Sequence, residues 1–248
     1  MVWSSGGHTR RSKFSMWIVK TQSGSNGKRS KKIGGWDTIM SQPEEHQAVL
    51  AAIGSVERPT VVELGAYDGE DMIWIRNAYP DVRYIMVEAD PRHAEMIRKY
   101  RDMRGITLIE AAIAGHTGGC AFHLADNEIG YSKASSSIRR PKKHSEFFPW
   151  CTFDETIRVP CFSLSDLFSA QNIERADLVW ADLQGAECDM ISGGSEALKR
   201  TRYLFAEADE HEMYEGQATR TELLDMLPDW ELVGTYECNV LLRNTQCD

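Results

Sequence analysis

The chain has 248 residues and a formal net charge of −9, with 42% hydrophobic and 26% charged side chains. That suits a globular protein with one large α/β domain or two small ones. The acidic balance argues against a protein dedicated to nucleic-acid backbones, and no apolar stretch approaches the roughly 20 residues of a membrane span.

In chain order, residues 1–36 come first. They are rich in Ser and Gly and hold eight basic side chains and no acid, which leaves 20 basic against 37 acidic side chains in the rest of the chain. This arm is expected to be a solvated tail or an electrostatic dock for an anionic surface, membrane or partner. Residues 37–248 are expected to form the folded domain. Gln42–Ile53 has helical spacing, with Ser41 as a plausible N-cap. Thr60–Leu64 reads as a buried strand, Glu70–Ala78 as a helix and Arg83–Val87 as the next strand. Asp90-Pro91 starts a helix whose apolar stripe is Met96, Tyr100 and Met103, and Ile106–Ala114 is a third strand. Such alternation predicts parallel strands joined by right-handed crossovers.

From residue 115 to residue 159 the alternation stops, and this region is expected to be a lid or substrate loop. A short helix at Asp166–Ala170 follows, then a strand at Leu178–Leu183, a helix from near Gly185, a strand at Arg202–Ala206 and a helix at Thr219–Leu227. Trp230–Thr235 and Asn239–Arg243 form a closing antiparallel hairpin. The six cysteines show no CxxC spacing and no secretory h-region is visible, so reduced thiols in a cytoplasmic protein are expected.

Two strand ends carry the chemistry. Thr60-Val61-Val62-Glu63-Leu64-Gly65-Ala66-Tyr67-Asp68-Gly69 runs from a β-branched strand into two glycines four residues apart, and Tyr84-Ile85-Met86-Val87 ends in Glu88. Glycines there let the backbone turn and approach a ligand, and an acid at the second strand tip can accept hydrogen bonds from ribose hydroxyls. A dinucleotide would call for GxGxxG around its pyrophosphate. The acid-x-Gly-x-x-x-Gly spacing suits S-adenosylmethionine, which has no phosphate. A nicotinamide-dependent oxidoreductase, a nucleic-acid methyltransferase recruited by the basic arm and an inactive binding module are the alternatives.

From about Thr60 to Arg243 the chain resembles the FkbM family of S-adenosylmethionine-dependent methyltransferases. The pieces are Val61–Gly69, Val87-Glu88-Ala89-Asp90-Pro91, Ala111–Gly115, Ser135–Ile138 with Pro141-Lys142, Ala176–Glu187, and Phe205-Ala206-Glu207 with Met213–Gly216. Where many members have Lys-x-Asp-x-Glu-Gly-x-Glu, this chain has Trp180-Ala181-Asp182-Leu183-Gln184-Gly185-Ala186-Glu187, so Trp replaces Lys and Gln replaces the first Glu. The resemblance implies a Rossmann-like seven-stranded sheet, mostly parallel with a C-terminal antiparallel hairpin and helices on both faces. It also implies methylation of a hydroxyl, often on a sugar or other secondary metabolite. It places the methyl donor at Glu63, Gly65, Ala66, Tyr67, Asp68, Gly69, Glu88, Ala89, Ala112 and Asp182.

A hydroxyl must lose its proton to act as a nucleophile. Asp182 is the first candidate base, and Glu207, expected on the neighbouring strand tip, could share a proton with it or hold Mg²⁺ with it. His211, His116 and His144 are alternative bases, and Glu187 is expected in the first turn of its helix. Ser135, Ser136, Arg139, Lys142, His211 and Tyr214 are candidate acceptor contacts. Arg139, Arg140, Lys142, Lys143 and His144 would favour an anionic acceptor if their loop covers the site. A small glycan-like or anionic acceptor is the expected partner, and a homodimer stays open.

Overall fold

The computed structural model describes residues 43–127 and 134–247. The basic arm and the proposed cap at Ser41 lie outside these residues, as does Gln42. α1 spans Glu44–Ile53 and is followed by β1 (Thr60–Leu64), α2 (Glu70–Ala78), β2 (Arg83–Glu88), α3 (Pro91–Tyr100) and β3 (Ile106–Glu110). β4 (Ala112–Ile113), β5 (Gly118–Asn127), α4 (His144–Phe147), β6 (Cys151–Phe162) and α5 (Leu164–Ala170) come next. β7 (Ala176–Ala181), α6 (Glu187–Gly193), α7 (Ser195–Leu198), β8 (Thr201–Glu207), α8 (Arg220–Asp225), β9 (Trp230–Tyr236) and β10 (Asn239–Asn244) complete the chain.

Seven strands form one sheet in the order β3-β2-β1-β7-β8-β10-β9. The first five are parallel, and β10 runs antiparallel to both β8 and β9. The sheet is covered on both faces, which is why β1, β2 and β7 read as continuous apolar runs. Val62, Leu64, Ile85 and Val179 pack on one face with Leu164, Phe168 and Met190. Val61, Tyr84, Met86 and Leu178 pack on the other with Val49, Ile53, Met72 and Ile75.

Three details depart from expectation. The strand expected at Ile106–Ala114 is two strands. The Ala111 amide donates to Glu88 O (3.1 Å), and beyond it Ala112 and Ile113 leave the large sheet to pair with Cys161 and Phe162. The region expected to lack regular structure contains the long hairpin β5–β6, part of a second, three-stranded sheet β4-β6-β5. Much of β6 faces solvent, so its sequence lacks strict alternation. In α3 the buried residues are His93, Ala94 and Ile97, whereas Tyr100 is 66% exposed. The helix turns His93 inward beside Glu88, and that choice sets its face.

Candidate functional site

The cleft opens at the point where connections diverge across the large sheet. From β1 the chain passes through α2 to β2 on one side, while β7, on the other side of β1, leads to β8. Open parallel sheets bind ligands beyond the carboxyl ends of strands at such a switch point. The cleft measures about 850 Å³ including space open to solvent.

Its floor is the junction of β1 and β7. Asp182 N donates to Leu64 O (2.9 Å), and Gly65 N donates to Val87 O (2.9 Å). Gly65 has φ +84°, and a Cβ there would lie 1.9 Å from Asp182 O, so only glycine lets the two strand ends meet. Gly69 is different. It caps α2 at φ +70° with its missing Cβ against Met86 Cε, behind the cleft wall.

Glu88 is the most firmly set acid of the cleft. It is 5% exposed, its Oε2 accepts from Tyr67 N (2.7 Å) and its Oε1 from Asp90 N (2.7 Å). Tyr67 holds a left-handed φ of +47°, an uncommon geometry for a tyrosine that aims its amide at Glu88. The His93 ring packs edge-on against Tyr67 at 4.7 Å, with Nδ1 3.8 Å from Glu88 Oε1. Each carboxylate oxygen accepts one backbone amide and keeps lone-pair capacity for a ligand hydroxyl.

Across the cleft, Asp182 follows β7 and Glu207 ends β8. The carboxamide Nε2 of Gln184 donates to Asp182 Oδ1 (2.6 Å) and to Glu207 Oε2 (2.9 Å). The Tyr214 hydroxyl is shared between Gln184 Oε1 (2.9 Å) and Ser135 O (2.8 Å). Desolvation raises both acids, although the Asp182 side chain also borders cleft solvent. Glu207 is pushed furthest, by burial and then by the charge of Asp182, and the two acids meet at the shared Gln184 amide. Such a pair holds one proton between two carboxylates. Behind it, Glu187 is 2% exposed and its Oε1 accepts from Leu183 N (2.7 Å). Burial lifts its carboxyl to about 8.

Gly65, Ala66, Tyr67, Asp68, Glu88, Ala89, Ala112 and Asp182 line the cleft, as does Ser136. Glu63 does not. It sits one residue before the end of β1 and points into the apolar layer near Tyr84, where burial raises it far above an ordinary carboxyl and its Oε2 has no hydrogen-bond partner. Arg139 is turned away from the cleft. Its Nε donates to Asp189 Oδ2 (2.8 Å) and its Nη1 to Glu215 O (2.7 Å). Lys142 pairs with Glu212 (2.5 Å). His211 is exposed and stacks on Phe147, and Tyr214 touches the cleft only through Gln184.

The other expected bases are also elsewhere. His144 is 3% exposed, packs on Phe148, Phe153 and Tyr214, and is lowered by burial to about 4. His116 is exposed beside Cys161. Ser137 fastens its loop to the β7–α6 turn, its Oγ donating to Gln184 O (2.8 Å), while Ser135 O accepts from the Tyr214 hydroxyl after β8. Among the described residues no group of three or more His, Cys, Asp or Glu could hold a metal ion, so the Mg²⁺ alternative has no support here.

Several lining residues escaped the sequence reading. Asp71, in the first turn of α2, accepts from Trp74 Nε1 (3.0 Å) and has His46 Nε2 at 3.4 Å. Trp180 joins His46 and Trp74 in an aromatic cluster. Phe122 and Ile138 arrive from the second sheet and its following loop, for which no local signal existed. Among the described residues, four acids and no lysine or arginine line the cleft.

The Methyltransferase FkbM domain pattern matches residues 63–236. The chain is 37% identical over 208 residues to the 2-O-methyltransferase NoeI of Sinorhizobium fredii (strain NBRC 101917 / NGR234), covering 81% of this chain and 85% of that protein. Among solved structures, cofactor-bound Rv0187 from MTB aligns with a TM-score of 0.48 at 12% identity, covering 85% of this chain and 84% of that one. A precorrin-6y C5,15-methyltransferase from Geobacter metallireducens GS-15 aligns with a TM-score of 0.44 at 13% identity, covering 85% and 92% respectively.

Proposed function

The chain belongs to the FkbM methyltransferase family, and from that premise we propose that it is an S-adenosylmethionine-dependent O-methyltransferase acting on a hydroxyl of a small, neutral, sugar-like acceptor. The observation that carries the donor assignment is the Glu88 carboxylate, fixed by two backbone amides at the second strand tip. The charge of the cleft supports the same donor. Asp68, Asp71, Glu88 and Asp182 line it, and among the described lining residues there is no lysine or arginine. Arg101 pairs with Asp68 from outside the cleft (3.3 Å), and the acidic balance that remains suits a sulfonium cation and opposes a pyrophosphate. The N-terminus of α2 is closed as well, because Glu70 N already donates to Asp68 Oδ1 (2.9 Å). A nicotinamide dinucleotide would find no phosphate site there.

The acceptor follows from the same charges. Arg139 and Lys142 are already ion-paired with Asp189 and Glu212, which favours a neutral acceptor over an anionic one. Carboxylates such as Asp71 and Asp182 are groups that accept hydrogen bonds from sugar hydroxyls. The relative named as a 2-O-methyltransferase agrees with a hydroxyl acceptor.

Bound in this cleft, S-adenosylmethionine would supply an electrophilic methyl group, its methyl–sulfur bond breaking to leave the neutral thioether as the demethylated product. The protein supplies position and proton removal. Glu88 orients the ribose end, and the Gly65 turn lets the backbone approach without a side chain. Asp182 takes the hydroxyl proton as the oxygen–carbon bond forms, and Glu207 stabilises the acid that results. Holding reactants aligned accounts for on the order of 7–11 kcal/mol of such barriers.

Calorimetry with S-adenosylmethionine and its demethylated product tests the donor assignment. Wild type is expected to bind both. Glu88→Ala should lose about 1.5–3 kcal/mol of affinity, the worth of a hydrogen bond to a charged group. Absence of binding by wild type overturns the donor, and equal binding by the variant overturns the role of Glu88.

A further inference from the structure

Gln184 stands at the centre of the polar network that joins the ends of β7 and β8. We infer that Gln184 is a positioning residue that holds the Asp182–Glu207 pair to a single shared proton, its one amide nitrogen donating to an oxygen of each acid. The inference deepens the proposed methyl transfer and rests on Asp182 being the base.

The geometry fixes the carboxamide. Its Nε2 has two hydrogens, and both are used, toward Asp182 Oδ1 and Glu207 Oε2. Its Oε1 accepts from Tyr214, whose ring packs against Gly185, where a Cβ would lie 3.0 Å from the tyrosine ring. The Gln184 carbonyl accepts from Ser137 Oγ (2.8 Å), and its backbone holds a left-handed φ of +51°. Three hydrogen bonds therefore hold the carboxamide in one orientation, and the Ser137 bond and the left-handed φ fix the backbone that carries it. Strain of this kind persists where the surroundings dictate the conformation.

The chemistry follows from neutrality. Hydrogen bonds from Gln184 favour the charged form of Asp182 and oppose the desolvation that raises it. A carboxamide does not titrate, so it adds no proton to the cluster. The other groups that act on the pair are acids or weak acids: Asp71 from α2, Glu88 from β2, Glu187 from α6, Asp209 after β8, Tyr214 and Cys238. Against that background, Gln184 keeps Asp182 available as a base near neutral pH. A glutamate in its place would set three carboxyl groups within contact, and the cluster would have to take up another proton.

The test is a pH titration of full-length protein carrying ¹³C-labelled Asp and Glu carboxyl groups, in wild type, Gln184→Met and Gln184→Glu. Asp182→Asn and Glu207→Gln assign the resonances. Gln184→Met should move the Asp182 midpoint up by roughly one unit, a tenfold change in proton affinity. Gln184→Glu should hold one more proton than wild type at neutral pH. If Gln184→Met fails to fold, Gln184→Glu decides alone. Unmoved midpoints in Gln184→Met, or no extra proton in Gln184→Glu, overturn the inference. The titration needs neither donor nor acceptor, so its result is independent of the calorimetry that tests the donor.

Discussion

Asp182 does two separate jobs. Its backbone closes the floor of the cleft, with its amide on Leu64 O and its carbonyl against Gly65, while its side chain faces the cleft and the Glu207 carboxyl. An isosteric amide divides the two. Asp182→Asn keeps the backbone contacts and offers Gln184 an oxygen acceptor, so the fold and the Glu88 side of the cleft are unchanged. It cannot take a proton. Turnover should drop by roughly 10²–10⁴, the usual worth of a positioned base, while the dissociation constant for S-adenosylmethionine stays within about threefold, under 1 kcal/mol. Radiolabelled methyl transfer to a panel of simple neutral glycosides reads the first quantity, and calorimetry reads the second. Full turnover in the variant would remove Asp182 as the base, and lost binding would make it a donor contact instead.

At the level of elements, α3 shows how one capped helix joins both sheets. Asp90 is fully buried, and its Oδ1 accepts from Arg92 N (2.9 Å), the standard N-cap bond. Burial alone would raise its carboxyl, but the Arg92 guanidinium outweighs that and holds it below the usual range. Arg92 also donates to Ala125 O on β5 (3.0 Å), and Ser136 Oγ donates to Asp90 Oδ2 (3.2 Å). Asp90→Ala should therefore lose the cap and strand a half-buried guanidinium together, about 2–4 kcal/mol in urea unfolding. A loss under about 0.5 kcal/mol would mean that the pair behaves as a surface ion pair. This start of α3 was legible because Asp-Pro is a local signal, and β1, α2 and β2 were legible because each is a single uninterrupted pattern. β5 and β6 were not, because a hairpin exposed over much of its length dilutes its apolar period. The same limit applied to the site. Glu88 and Asp182 follow directly on strands and could be placed. Arg139 looked free in the sequence because its partner, Asp189, comes fifty residues later on another element.

At the scale of the whole molecule, several acids buried in and around the strand ends are raised by desolvation, and this ties stability to pH. Glu63, Glu187 and Glu207 are all raised, with desolvation the largest cause in each. A carboxyl raised on folding binds its proton more tightly in the folded state. Its contribution is complete below the unfolded value and is lost as pH rises through the folded one. For Glu187 that window runs from the ordinary 4.5 to about 8. Asp90 has the opposite sign, lowered on folding, so its contribution is lost on acidification. The two together place maximum stability on the mildly acidic side of neutrality, with a decline toward pH 8. Glu187→Gln isolates one part of that decline. Its carbonyl oxygen can still accept from Leu183 N, but it no longer ionises. Unfolding by urea at pH 5 and pH 8 should show wild type losing stability between the two. The variant should lose less, by an amount bounded at about 5 kcal/mol from the shift at roughly 1.4 kcal/mol per unit. The same slope in both proteins would show that Glu187 stays ionised in the fold, and the decline would then rest on the other raised acids, Glu63 and Glu207 foremost.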